Sequence, residues 1–204
     1  MSLHKLEHPN FARVYSQISR WLDRHGGSEH RRRLVAPLAG RVIEVGAGNG
    51  LNFAHYPETV TLVLAVEPES RLRAEARRAA SSARVPVGIV SARAEQLPVP
   101  DNHFDGAVLS LVLCSIADRQ AALAELRRAV RPGGFVRFYE HVRSPRPAVG
   151  RAQDVITPVW SRFAGGCHLN WDARMAIRLA GFSITDVEQF TFAGVTHVLG
   201  TAQA

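Results

Sequence analysis

The stretch from Arg41 to Gly50 reads RVIEVGAGNG and carries residue types that can bind a nucleotide-type ligand. Its β-branched run indicates a buried parallel strand, and the glycines that follow predict a sharp turn. Glycine lets such a turn bend and lets a ligand approach the backbone N–H groups. A helix beginning beyond the turn, over Leu51 to Tyr56, would favour a negative group at its start. The stretch predicts half of a ligand site, formed by Glu44 in the strand and Gly46, Ala47, Gly48 and Gly50 in the turn.

A second predicted strand, Thr61 to Val66, ends in Glu67-Pro68. An acid in this position, about 20 residues beyond the glycine turn, can accept hydrogen bonds from both ribose hydroxyls. A dinucleotide site needs the spacing G-x-G-x-x-G, but Leu51 occupies the place of its third glycine. The spacing therefore disfavours a nicotinamide oxidoreductase, which stays open as an alternative.

The actual spacing, E-x-G-x-G-x-G, resembles motif I of the class I S-adenosylmethionine-dependent methyltransferases. Other segments between residues 40 and 142 resemble the motifs of that family in the same order: Glu67-Pro68, Phe104-Asp105 with the apolar strand Ala107 to Leu113, and the turn Arg131-Pro132-Gly133-Gly134. Strands that alternate with helices independently favour a doubly wound parallel sheet. The resemblance implies an α/β fold, with a Rossmann-like, seven-stranded, mostly parallel sheet, helices on both faces and an antiparallel last strand.

The same resemblance implies S-adenosyl-L-methionine as the cofactor and assigns residues to its parts. The methionine part would lie over the glycine turn and touch the end of the fourth strand at Leu109, Ser110 and Leu111. Glu67 and Pro68 would lie at the ribose. The adenine would lie beside Arg93, Ala94 and Glu95, although Arg93 stands where the family usually has an aspartate. That departure argues against an adenine contact by a side-chain carboxylate at this position.

Length and composition fit one domain over residues 1–204. We expect an N-terminal helical cover (1–38), a cofactor-binding core (39–142), a substrate lid (143–180) and a C-terminal strand pair (181–204). In the cover, Phe11 and Tyr15 either close the mouth of the site or serve as packing residues. The overall pattern is similar to methyltransferase type 11 and ubiquinone-methyltransferase-like proteins. Three segments are more closely similar to the animal thiol methyltransferases than to these groups, namely LVLCSI, Glu140-His141-Val142 and Gly166-Cys167.

These resemblances imply methyl transfer to a small-molecule acceptor by in-line displacement. The expected acceptor is a thiol, a phenol or quinol, or a lipid. The alternative function, a non-catalytic cofactor-binding or interaction protein, stays open. A thiol or phenol must lose a proton, so a nearby base can assist the reaction. The candidates are His141 after the fifth strand, then His168 and Asp172 in the predicted lid.

Composition narrows the other function classes. The net charge of +7 comes from scattered arginines without an aromatic-and-basic motif, so we do not expect nucleic acid as a partner. No apolar run approaches membrane-spanning length, which predicts no transmembrane anchor and leaves peripheral membrane contact open. The first ten residues lack the apolar core of a signal peptide. Cys114 and Cys167 are too few and too isolated for a disulfide framework, which favours a cytoplasmic location.

The nine histidines show no paired spacing such as H-E-x-x-H, so the sequence predicts no metal site. The oligomeric state is left open.

Overall fold

A seven-stranded sheet forms the centre of the computed structural model, which describes residues 9–204. The strands are β1 Gly40–Val45, β2 Val60–Val66, β3 Val87–Val90, β4 Phe104–Ser110, β5 Val130–His141, β6 Ser183–Phe192 and β7 Val195–Gln203. They lie in the order β3-β2-β1-β4-β5-β7-β6. The pairs among β1 to β5 are parallel, whereas β7 is antiparallel to both of its neighbours. The predicted fold class is confirmed.

Helices cover both faces of this sheet because the buried strands are apolar on both sides. The α-helices are α1 Pro9–Leu22, α2 Ser28–Val35, α3 Ser70–Ala80, α4 Arg119–Ala129, α5 Pro147–Phe163 and α6 Ala173–Leu179. Successive residues of β1 point to opposite faces. Val42 belongs to the apolar cluster with α2 and α3, and Ile43 belongs to the cluster with α4 and α6. This alternation divides the core into two layers.

Helix α1 is attached to the rest of the molecule through small polar residues. Its buried residues are Ala12, Ser16 and Ser19. The hydroxyl of Ser16 donates to the carboxylate of Glu75 on α3, and the amide nitrogen of Asn49 donates to Ser19 Oγ at 3.0 Å. These contacts fix α1 against both α3 and the glycine turn, so α1 has a defined position above the carboxyl edge of the sheet.

The short helix predicted over Leu51 to Tyr56 is confirmed only as one 3₁₀ turn and not as an α-helix. The described backbone there has only turns and a short 3₁₀ helix, Phe53–His55. Tyr56 precedes Pro57 and has an extended ψ of 130°. A residue before proline is driven out of the helical region, so too few residues remain for an α-helix. The turn therefore offers backbone N–H groups but no helix dipole to a ligand.

The fourth strand ends earlier than predicted, at Ser110 rather than Leu113. Leu111 has a positive φ of 54°, which turns the chain away from the sheet. The N–H groups of Val112 and Leu113 then donate to the carboxylate oxygen Oε1 of Glu140, at 3.0 and 3.1 Å. A buried carboxylate thus replaces the sheet as their hydrogen-bond acceptor. The segment that follows Ser110 is free to form a wall at the edge of the sheet.

The prediction that no signal peptide is present concerns residues 1–10, of which residues 1–8 lie outside the described residues. Within residues 9–204, none of the helices combines the length and apolar character needed to cross a membrane.

Gly46→Ala should lower the free energy of unfolding by about 2–5 kcal/mol. Gly46 has a φ of +71°, where a side chain costs about 1–2 kcal/mol, and its new Cβ would overlap the side chain of Val112. Overpacking of that kind costs about 1–3 kcal/mol more. Urea denaturation would measure the loss.

The matched control is Gly133→Ala. Gly133 has a similar φ of +77°, but a Cβ there would meet nothing within 4 Å. This control should lose only about 1 kcal/mol, because it carries the backbone strain alone. Equal losses in the two variants would contradict the steric account of the turn.

Candidate functional site

The glycine turn after β1 is fastened directly to the end of β2. The N–H groups of Gly46 and Ala47 both donate to the carbonyl oxygen of Val66, at 2.8 and 3.1 Å. Gly48 has a φ of +57°, and a Cβ at this position would touch the ring of Tyr15 at 3.4 Å. The turn therefore favours glycine here for its backbone conformation, and α1 packs within van der Waals distance of it.

Glu67, the first residue beyond β2, directs its carboxylate toward this turn. Oε2 accepts the N–H of Gly48 at 2.8 Å, and Oε1 accepts the N–H of Glu69 at 2.9 Å. Burial raises the pKa of Glu67, and the two backbone hydrogen bonds act in the opposite direction. Each oxygen still has a lone pair available for a ligand hydroxyl.

A cavity of about 340 Å³ lies at the carboxyl edge of the sheet, above the gap between β1 and β4. The strand order reverses at this gap, since β1 connects outward to β2 while the chain returns to β4. Ligands of open α/β sheets bind at such a switch point. The wall of the cavity comes from the ends of β1 and β2, residues 93–95, residues 111–112 and 115–117, helix α1 and residues 165–166.

The cavity wall contains most of the predicted cofactor residues, namely Gly46, Gly48, Glu67, Pro68, Arg93, Ala94, Glu95 and Leu111. It does not contain the others, which are Glu44, Ala47, Gly50, Leu109 and Ser110. The guanidinium of Arg93 pairs with the carboxylate of Glu95 at 3.1 Å. The ion pair holds the carboxylate of Glu95 beside the cavity, although Arg93 replaces the aspartate that the family usually has at that position.

Glu44 lies behind the turn and not in the cavity wall, and its assignment to the cofactor site stays a prediction. It is 1% exposed, and its carboxylate accepts hydrogen bonds from Asn52 Nδ2 at 2.8 Å and from the Tyr56 hydroxyl at 2.7 Å. Burial raises the pKa of Glu44 to about 7, while these two hydrogen bonds lower it. Its contacts hold the segment after the turn against β1.

None of the three predicted bases lines this cavity. His141 is buried at the end of β5, where its Nε2 lies 3.2 Å from Cys167 Sγ. His168 is exposed, with Nδ1 2.7 Å from the carbonyl oxygen of Gly166. Asp172 caps α6 by accepting the N–H of Arg174 at 3.0 Å and lines a separate, shallower cavity. The structure gives these side chains three different surroundings, and their role as bases stays a prediction.

Two kinds of residue that matter here were not foreseen as site residues. The first are wall residues distant in sequence from the turn, such as Ser115, Ile116 and Gly166. The second are Cys114 and Cys167, which join the predicted base His141 in a group whose ligand-type atoms all lie within 4.8 Å of one another. The sequence contained one signal for this group, because Cys114 and His141 follow neighbouring parallel strands.

The two cysteines, expected to be isolated, are close in space. The nearby Cys114 thiol, followed by His141, lowers the pKa of Cys167. Burial lowers the pKa of His141, but its hydrogen bond and charge interaction with Cys167 outweigh burial, so the pKa is raised.

Comparison with known proteins agrees with this architecture. A family model described as "Methyltransferase domain" matches residues 43–138, a range that includes the end of β1, Glu67 and most of β5. Residues 43–138, just under half of the chain, are therefore similar to a methyltransferase domain. The match confirms the family resemblance inferred from the motifs.

Individual relatives support the same assignment. Thiol S-methyltransferase TMT1B of Rattus norvegicus is 30% identical over 151 residues, which cover 72% of this chain and 62% of that protein. Demethylmenaquinone methyltransferase of Clavibacter sepedonicus is 34% identical over 125 residues, which cover 60% of this chain and 50% of that protein. The chain thus matches between half and about three fifths of the length of these curated relatives.

A solved structure supports the fold of the domain. The S-adenosylmethionine-dependent methyltransferase from Mesorhizobium loti superposes with a TM-score of 0.62 and 18% identity, covering 85% of this chain and 95% of that one.

Glu44→Gln should change how stability depends on pH. The folded pKa of about 7 exceeds the ordinary value of 4.5, so the stabilisation from protonated Glu44 is fully present below about pH 4.5 and is lost as pH rises through 7. Between pH 5 and pH 8, the natural chain should lose about 2–3 kcal/mol more unfolding free energy than the variant.

Urea denaturation at the two pH values would measure this difference. The control, Glu58→Gln, removes an exposed carboxyl and should retain the pH dependence of the natural chain. An identical pH dependence in Glu44→Gln would contradict the buried, protonated state of Glu44.

Proposed function

We propose that this chain transfers the methyl group of S-adenosylmethionine to a small-molecule acceptor. The observation that carries the proposal is that the glycine turn and Glu67 share one wall of the cavity at the switch point of the sheet. The methyltransferase domain and its fold imply S-adenosylmethionine as the methyl donor. The relatives described above support methyl transfer as the reaction.

The cavity wall suits the chemistry of this donor. Glu67 can accept both ribose hydroxyls, because each of its oxygens is occupied by only one backbone N–H group. The backbone of Gly46 and Gly48 is accessible from the cavity for the methionine part. The carboxylates of Glu67, Glu69 and Glu95 on the same wall favour a ligand that carries a positive charge.

The protein has to supply orientation rather than a covalent intermediate. Bound S-adenosylmethionine provides a methyl group that the positive sulfur already activates. The acceptor must lie in line with the S–CH₃ bond, about 3 Å from the methyl carbon, and holding it there removes much of the entropic barrier. Phe11 and Tyr15 from α1, with Gly165 and Gly166, form the wall that limits access of water.

A small thiol is our first choice of acceptor, and a quinol, another phenol or a lipid comes next. One relative is named as a thiol S-methyltransferase and another as a demethylmenaquinone methyltransferase. The apolar side chains of Phe11, Val112 and Ile116 favour an acceptor with an apolar part. The cytoplasmic location, the four-part domain division and peripheral membrane contact stay predictions.

Glu67→Ala should weaken binding of S-adenosylmethionine by about 100-fold, because two hydrogen bonds to a carboxylate would be lost. Isothermal titration would measure the affinity, and Glu58→Ala would serve as the exposed-carboxyl control. In a thermal-shift comparison, the natural chain should be stabilised by S-adenosylmethionine and unaffected by NADH.

The same proteins should then be incubated with methyl-labelled S-adenosylmethionine and a panel of alkyl thiols, phenols, quinols and phosphatidylethanolamine. We expect label in a thiol product with the natural chain and Glu58→Ala, and none with Glu67→Ala. Label only in a quinol or lipid would retain methyl transfer and reject the thiol. Stabilisation by NADH alone, or full affinity in Glu67→Ala, would contradict the proposed site.

A further inference from the structure

Three side chains that readily ligate soft metal ions meet behind the cavity wall. We refer to Cys114, His141 and Cys167 as the Cys-His-Cys cluster. Their ligand atoms all lie within 4.8 Å of one another, and His141 Nε2 is 3.2 Å from Cys167 Sγ. A tetrahedral zinc ion with ordinary bond lengths holds its ligand atoms roughly 3.4–3.8 Å apart. The cluster is therefore near the size that such an ion requires.

The backbone around the cluster is held in place from several directions. The N–H of His168 donates to the carbonyl oxygen of Cys114 at 3.0 Å, which ties the lid loop to the segment after β4. Gly166 has a φ of +84°, and its missing side chain allows the loop to approach the carbonyl of Ser115 closely. His141 is fixed by its pairing with His197 of β7. The three ligands thus come from segments whose positions do not depend on a metal.

Two buried polar atoms beside these ligands are left without a hydrogen-bond partner in the described part of the chain. They are Nδ1 of His141 and Oε2 of Glu140, which belong to residues that are 8% and 0% exposed. Buried polar atoms in proteins are almost always satisfied. A zinc ion bound at Nε2 of His141 would not contact either atom, so zinc is indicated by the three ligand side chains and their spacing.

The ligand types favour one kind of ion. Two thiolates and one imidazole suit zinc, and the two negative sulfurs balance its charge. Zinc sites with three protein ligands leave a fourth position for water or substrate. Within residues 9–204, the candidate group contains no fourth side chain of the metal-ligating types. Ser115 and Gly166, which adjoin Cys114 and Cys167 in sequence, line the cavity.

We propose that Cys114, His141 and Cys167 bind one zinc ion whose fourth position receives the sulfur of the acceptor thiol. The second half of this proposal rests on the proposed methyl transfer. On binding, the acceptor thiol would displace a water molecule from the fourth position, its S–H bond would break with the proton passing to solvent, and a zinc–sulfur bond would form. The sulfur lone pair then forms the new bond to the methyl carbon while the bond from that carbon to the donor sulfur breaks. The thioether product is a weaker ligand than the thiolate and leaves zinc.

Zinc binding can be measured without any methyl transfer. The full chain, fully reduced, is incubated with zinc, passed through gel filtration and analysed for metal content. We expect one zinc per chain. Cobalt in place of zinc should give thiolate-to-metal charge-transfer bands and the intense visible bands of a tetrahedral site. A natural chain with free thiols that retains no zinc, or that binds cobalt without thiolate bands, would overturn the proposal.

Variants test the three ligands one at a time. Cys167→Ala is the safest of them, because Cys167 is only half-buried, and it should weaken zinc affinity by about 100-fold or more. Cys114→Ala and His141→Ala should do the same, with folding checked by circular dichroism. His168→Gln changes the neighbouring histidine and should retain the zinc affinity of the natural chain. Unchanged affinity in Cys167→Ala would overturn the proposal.

A thiol titration of the cobalt-loaded chain tests the fourth position. An alkyl thiol should increase the charge-transfer band, whereas the matching alcohol should not. No spectral change would overturn the acceptor half and leave zinc binding in place. If the chain binds no zinc but still transfers label to a thiol, the zinc site is rejected and the proposed methyl transfer is retained.

Discussion

The conformation of the turn after β1 is the constraint on which the rest of the site depends. Gly46 takes a positive φ in a space already occupied by Val112, so the chain can pass there only without a side chain. The turn then donates two N–H groups to Val66 and a third to Glu67. One piece of backbone therefore sets the base of the cavity, connects β1 to β2 and aims the acid that we assign to the ribose.

Buried polar groups place the walls of the cavity around that turn. Glu140 draws the segment after β4 off the sheet through two N–H groups, and this segment forms one wall. Ser16 and Ser19 hold α1 through Glu75 and Asn49, so that its aromatic side chains form the opposite wall. Because each contact joins residues far apart in sequence, the shape of the cavity depends on the completed tertiary structure.

Patterns of neighbouring residues in the sequence predicted much of this architecture. The features that they did not predict depend on contacts between residues far apart in the chain. The β-branched runs fixed the parallel strands, and the glycine spacing located the turn, since both depend on neighbours in the chain. Glu44 is held behind the turn by hydrogen bonds from Asn52 and Tyr56. The early end of β4 depends on the hydrogen bond that Glu140 accepts from Val112. Sequence periodicity carries no information about such partners. The two cysteines meet because of the strand order and the path of the loop between α5 and α6.

The central claim is that the cavity binds S-adenosylmethionine through the glycine turn and Glu67. A crystal structure of the full chain with the product S-adenosylhomocysteine tests it most directly. We predict that the ribose hydroxyls lie within hydrogen-bond distance of Glu67, the adenine beside Ala94 and Glu95, and the ligand sulfur on the side of Ser115 and Gly166. A ligand bound in the shallower cavity beside Asp172, or one whose ribose lies away from Glu67, would contradict the account.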